Sequence, residues 1–361
     1  MTSKIPLFAF LRIKPDFYAF GDAHSSGWKT LPVPPEVGPY FWAPDFFLED
    51  PEPFFIPKSL EFLSKEELLH RLKSHGDPQT SSSWSPTELR WESPEKELFE
   101  KSFRELKSLI EKKELLKAVP VVIQAGHGEE SKDPLKLWAW ILSCLDRLPE
   151  ELQPFGLVTN QEWMFGATPE TLVSRSKNKV STEAVAGTSS DFHSSLLKDP
   201  KERFEHQLVV DQIKSHLESQ GQVEESPCFE KELPLLKHLV TPLAVELSHP
   251  SKSSLIELGQ RLHPTPALGG FPQKEAFDWL KSLPRSNVRR RYGAPFGFVT
   301  DSGEGHLVVA IRCLQKSGED WLSIAGAGVV GESEMEKEWI EIESKRLSVL
   351  EIFRGVLYEP L

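Results

Sequence analysis

Three cysteines in 361 residues, Cys144, Cys228 and Cys313, are too scattered and odd in number for a disulfide framework, and no CxxC pair offers a zinc site. That points to a reducing compartment. Long apolar runs are missing too: the longest, LWAWILSCL, falls well short of the ~20 residues a membrane helix needs. The opening MTSKIPLFAFLRIK lacks an apolar core followed by a small-residue cleavage site. The expectation is a soluble, cytoplasmic protein that engages no membrane. Positive charge is also short, with 54 Asp plus Glu against 42 Lys plus Arg and a net charge of -12, which disfavours nucleic acid as a partner. The one dense basic cluster, Arg289, Arg290 and Arg291, reads as a solvated face. No internal repeat is visible.

What is present suffices for a substantial core, since 39% of the residues are hydrophobic. Residues 31–57 hold eight prolines among aromatics, which predicts extended edge segments and turns. The polar stretch 74–88 reads as a loop. It separates an N-terminal, sheet-forming portion (1–90) from the motif-bearing region (91–361), the two expected to form one structural unit.

From Ser93 the pattern turns helical: a Ser cap, Pro in the first turn, then Phe99, Phe103, Leu106 and Ile110 at helical spacing. It runs into KAVPVVIQ, where Val119, Val121 and Ile123 alternate with Lys117 on their parity, as in a strand facing a core. Further strands are expected at FGLVTN, EWMFGAT, ETLVSRS, KVSTEAVAG, APFGFVTD, HLVVAIRCLQ and WLSIAGAGVV. Helices are expected at 200–219, 253–262, 273–282 and 334–354. Strand hairpins interspersed with helices, without strict βαβ alternation, predict an antiparallel-rich α+β fold.

Five glutamates crowd into EMEKEWIEIESK (334–345), a solvated face if taken alone. On a helix, however, Glu338 and Glu341 share a stripe with Ile342, Lys345 and Val349. In 200–219, Glu205 recurs with Val209, Ile213 and Leu217 every four residues, so a carboxylate lies on an apolar stripe. An ionised acid facing a core needs a partner or a metal. Glu205, Glu338 and Glu341 suit a hard divalent cation such as Mg2+, completed by an anionic substrate.

Seven motifs occur in order: GATPE (166–170), TEAVAGT (182–188), ERFEHQLVVDQI (202–213), LHPTPALGGFP (262–272), VAIRC (309–313), AGAGVV (325–330) and EWIEIESK (338–345). Together they resemble the chorismate-utilising enzymes: anthranilate, aminodeoxychorismate, isochorismate and salicylate synthases. The resemblance spans roughly residues 105–355 and implies two large packed antiparallel sheets flanked by helices. It implies Mg2+ on Glu205, Glu338 and Glu341, facing the ring carboxylate of chorismate. It also places Tyr292, Arg312 and Lys345 around the substrate carboxylates, with backbone donors from Ala186, Gly187 and Thr188 and from Gly326, Ala327 and Gly328.

Lys117 stands where anthranilate synthases carry glutamine and where isochorismate and salicylate synthases carry a water-activating lysine. Burial disfavours the charged form of a lysine, so Lys117 can serve as a base. Glu170 matches the family's general acid, which must arrive protonated. The implied reaction is water addition at C2 of chorismate with loss of the C4 hydroxyl, giving isochorismate, and it calls for no glutaminase subunit. Ala186 argues against aminodeoxychorismate synthase, which often has lysine there. LHPTPA, with His263 as a site neighbour, resembles isochorismate synthases most. Menaquinone synthesis is the expected destination, a catechol siderophore the second. Salicylate synthase and a non-catalytic chorismate-binding protein are the rivals, and a monomer or weak dimer is expected. Two departures stand out, Arg285 where the family has Glu and YGAPFGF where it has YAGPVGW, so 284–298 is expected to shape the pocket differently.

Overall fold

Runs such as PFGFV at Pro295–Val299, in which every residue is buried, belong to central strands with a layer on both faces. The computed structural model supplies those layers. It describes residues 7–73, 88–128, 134–145, 147–233, 236–251, 254–318 and 320–354, so the loop expected at 74–88 lies outside them but for its last residue. One sheet has nine strands, in the order Leu60–Ser64, Phe17–Asp22, Phe8–Lys14, Gln153–Val158, Glu162–Thr168, Cys313–Ser317, Asp320–Gly326, Val121–His127 and Arg90–Trp91. The second has ten, running Val223–Glu225, Leu236–Glu246, Lys179–Ser189, Thr171–Ser176, Gly305–Val309, Pro295–Val299, Tyr40–Trp42, Phe54–Ile56 and Lys29–Leu31, with Phe229–Leu233 beside Leu236–Glu246. Neighbouring strands pair antiparallel, from Phe8–Lys14 on Gln153–Val158 to Pro295–Val299 on Gly305–Val309.

Alternation decides which side chains meet. In Phe8–Lys14, Ala9 and Leu11 join a core shared with the second sheet, where Phe155 and Phe296 lie 5.3 Å apart. Phe8 and Phe10 point the other way, into a cluster with Leu68 and Leu72 of helix α1 (Lys65–Lys73). Helix α2 (Lys96–Glu111) buries Phe99, Phe103 and Leu106 as its spacing predicts. It begins later than the expected Ser93 cap, because a turn from Pro94 to Lys96 intervenes. Beyond Pro134–Leu145 (α3), α4 is Pro200–Glu218, α5 Ser254–Leu262, α6 Gln273–Ser282 and α7 Met335–Arg354. Among the described residues no helix is long and apolar enough to cross a membrane.

Two crossings between the sheets position the site. The chain leaves the first sheet after Thr168 and enters the second at Thr171, passing through Pro169 and Glu170. It returns from Val309 to Cys313 through Ala310, Ile311 and Arg312, so the run expected as one strand, HLVVAIRCLQ, is two strands in different sheets. Arg312, at φ 51°, turns the chain there. The crossings bond to each other: Val309 N donates to Glu170 O (3.1 Å) and Ala167 N to Arg312 O (3.1 Å).

Candidate active site

Glu170 and Arg312 therefore meet at the seam between the sheets, on one cavity with Tyr292, Lys345 and Glu205. Glu170 is buried, and loss of hydration, the largest influence, pushes its carboxyl up to about 8, even though Lys117 and Lys345 pull the other way. At neutral pH it carries its proton. Burial likewise raises the Tyr292 hydroxyl to about 12.

Arg312 donates from Nη1 to Ser348 Oγ (2.5 Å), and its Nη2 lies 3.5 Å from His238 Nε2. Among the described residues no carboxylate stands within ion-pair distance of it, and burial lowers its pKa. A buried guanidinium without an anion is costly, and a substrate carboxylate would relieve that cost. His238 is neutral: burial, then the charges of Arg312 and Lys345, hold it well below its ordinary value. Its Nδ1 lies 3.0 Å from Thr188 Oγ1 and 3.3 Å from Gly187 O, so a proton there leaves Nε2 able to accept from Arg312.

The turn 186–188 is a break in register within Lys179–Ser189, with Gly187 at φ 74°. Ala186 and Thr188 line the cavity. The Thr188 N–H expected to face substrate donates instead to Glu202 Oε2 (2.8 Å). In the second glycine turn Gly326 and Gly328 line the cavity and Ala327 is buried. The Gly326 carbonyl accepts from Lys345 Nζ (2.9 Å), whose other partner is Glu341 Oε1 at 2.6 Å. At Gly328 a Cβ would stand 2.3 Å from Glu205 Oε1 and 2.8 Å from Lys117 Cε, so only glycine admits those two side chains.

Lys117 is fully buried in the short strand Lys117–Ala118, with Nζ 2.8 Å from Glu205 Oε1, an ion pair too poorly angled for a hydrogen bond. A neutral amine is the expectation from sequence; the structure supplies a carboxylate partner instead. Action as a base thus requires that Glu205 be drawn away.

Glu205 and Glu338 both reach Lys201 in the first turn of α4. Its Nζ is 2.9 Å from Glu338 Oε1, 3.1 Å from Glu202 Oε1 and 4.0 Å from Glu205 Oε2. Glu341 stands beside this group and turns its carboxylate to Lys345. Burial, then Glu341, raises the Glu338 carboxyl above its ordinary range, and burial followed by Glu205 does the same to Glu202. Glu205 is held below that range, because Lys117, Lys201 and Lys345 outweigh its burial. Both carboxyl oxygens of Glu338 are buried without a hydrogen-bond donor aligned on them.

Among the described residues no three His, Cys, Asp or Glu side chains stand close enough to hold a metal ion in this arrangement, which has an ammonium at its centre. The donor set is nevertheless all carboxylate oxygen, crowded and short of hydrogen bonds, and that chemistry fits a hard divalent cation.

His263 is the sequence-predicted residue that stands apart. It is buried, its Nε2 donates to Phe46 O (2.8 Å), and its ring meets Phe46 edge to face, a packing role. Sequence reasoning missed Lys201, Glu202 and His238. Lys201 was within reach, being four residues before Glu205 on the same helix. His238, inside the strand Leu236–Glu246, carries no periodic signal. A roomier cavity, about 290 Å3, lies elsewhere, between α2 and the segment after α6. There Arg285 pairs with Glu95, and Glu105 accepts from Trp279 Nε1 (2.8 Å).

A family model described as "Chorismate binding enzyme" matches residues 57–354. The salicylate biosynthesis isochorismate synthase of Pseudomonas aeruginosa is 35% identical over 203 residues, 53% of this chain and 42% of that protein. Isochorismate synthase MenF of Bacillus subtilis is 30% identical over 213 residues, 56% of this chain and 44% of that protein. The chain thus spans about half the length of the curated relatives it matches. The solved structure of MenF, the menaquinone-specific isochorismate synthase from Escherichia coli, superposes with a TM-score of 0.77 at 18% identity over 97% of this chain and 89% of that one, a likeness of fold.

Proposed function

Because the chain belongs to the chorismate binding enzyme family, we propose that it converts chorismate to isochorismate, with Lys117 as base and Glu170 as acid. The observation that carries this is Glu170: a carboxyl pushed up to about 8 on a cavity that also presents an unpaired guanidinium. One group is set to give a proton and the other to hold an anion.

Arg312 takes a substrate carboxylate through the position its own contacts leave open, oriented by Ser348 and His238. Lys117 accepts a proton from water as the water oxygen bonds to C2. The ring double bonds shift, and the bond from C4 to its hydroxyl breaks as Glu170 delivers its proton, so a second water leaves. Atoms balance: one water enters, one departs, and Lys117 ends with the proton that Glu170 has lost. Glu205 and Glu338, with Glu202 and Glu341 beside them, would hold Mg2+, which when bound would supply positive charge to offset that of the substrate dianion. A Glu205 committed to that role no longer pairs with Lys117.

The test is product identification by chromatography after incubating purified protein with chorismate and Mg2+, ammonia absent. Isochorismate alone is the expected product. Salicylate with pyruvate would assign the protein to salicylate synthesis, and binding without turnover would make it a chorismate-binding protein. We place the product in menaquinone synthesis, with a catechol siderophore as the second destination. Deleting the gene should deplete menaquinone rather than a catechol siderophore.

A further inference from the structure

We propose that Lys201 is the resident counter-ion of the carboxylate cluster, and that a divalent cation binds by expelling its ammonium from the centre. This rests on the cation-binding part of the function proposed above and adds how the site is kept in its absence.

Three carboxylates from two helices converge on one Nζ, at 2.9, 3.1 and 4.0 Å. Among the described residues no other cation stands within ion-pair distance of Glu338, whose side chain is 1% exposed and whose oxygens have no aligned hydrogen bond. Without Lys201 the ends of α4 and α7 would face each other as like charges in a dry setting, which is strongly unfavourable. The ammonium therefore keeps the two helices together when no metal is bound.

A magnesium ion needs oxygens at about 2.0–2.1 Å, closer than any oxygen lies to Nζ. The same oxygens cannot serve both cations, and two positive centres so close repel. The divalent ion has the larger charge, so Lys201 gives way. A route out exists: its side chain is 22% exposed and springs from the first turn of α4.

The test uses full-length protein and Mn2+ alone, binding being followed by electron paramagnetic resonance of free Mn2+. Lysine acylation is then mapped by mass spectrometry with and without saturating Mn2+, taking Lys274, 83% exposed, as internal reference. Lys201 should acylate at least about fivefold faster when Mn2+ is bound. An equal or slower rate with Mn2+ bound would overturn the inference while leaving the cation site standing. In a second arm Lys201→Met, which has no ammonium to expel, should bind Mn2+ about tenfold more tightly, a gain of about 1.4 kcal/mol. Unchanged or weaker affinity would count against displacement. If neither protein binds Mn2+, this inference and the cation part of the proposed function fall together. The acylation arm needs no variant, so a Lys201→Met protein that does not fold leaves the test intact.

Discussion

Along the sheet crossings Glu170 and Arg312 are buried and, among the described residues, make no ion pair, whereas at the ends of α4 and α7 Glu202, Glu205, Glu338 and Glu341 are tied to Lys117, Lys201 and Lys345. In the first region burial sets the state of each group: the acid keeps its proton and the guanidinium waits for an anion. In the second, burial is opposed by mutual charge. It works against the Lys201 ammonium, yet the pull of Glu205, Glu338, Glu202 and Glu341 wins and raises its pKa. One wall thus presents a buried acid and a guanidinium to the cavity, and the other is closed by ion pairs. Lys117 links them, paired with Glu205 and acting on Glu170 through its charge.

Substitutions that cut this link should have the largest effect. Lys117→Met removes the proposed base, and kcat should fall by about a thousandfold, while equilibrium dialysis still detects chorismate binding. Retained turnover would remove Lys117 from the chemistry. Glu170→Gln should cost about a hundredfold in kcat and reshape the pH profile. In the wild type kcat should decline as pH rises through about 8, where Glu170 loses its proton, and that limb should vanish in the variant.

Breaking the substrate wall alone should act on binding. Arg312→Met removes the open anion partner, and KM should rise about tenfold to a hundredfold, an effect of about 1.5–3 kcal/mol, with a smaller change in kcat. Breaking the cation wall should act on affinity for Mn2+ and on stability. Glu338→Gln should weaken cation binding about tenfold. The Glu338 carboxyl is raised in the folded protein, so its ionisation costs the wild type stability as pH climbs above the ordinary carboxylate value. Glutamine does not titrate, so the metal-free variant should gain in Tm over the wild type as pH rises through that window. A Tm difference constant with pH would contradict this.

Much of the carboxylate cluster was legible in the sequence because helices carry their geometry in their spacing. Glu205, Val209, Ile213 and Leu217 form one stripe, and all four are buried. Glu338, Ile342 and Val349 likewise share the inner face of α7. The substrate wall was legible only through motifs, since its geometry depends on the crossings. Nothing in HLVVAIRCLQ shows that Arg312 adopts a left-handed backbone and sends the chain to the other sheet. The three-residue strands Lys29–Leu31, Tyr40–Trp42 and Phe54–Ile56 are too short for an alternating signal. The ion pair of Lys117 with Glu205 joins residues 88 apart in sequence, a contact that only the folded chain creates.

The most direct measurement is the protonation state of Glu170, read from the carboxyl carbonyl stretch in infrared difference spectra between wild type and Glu170→Gln across pH. A protonated carboxyl should persist through neutrality and disappear near pH 8. A group already ionised at pH 6 would contradict the assignment of Glu170 as the acid, and with it the contrast between the two walls.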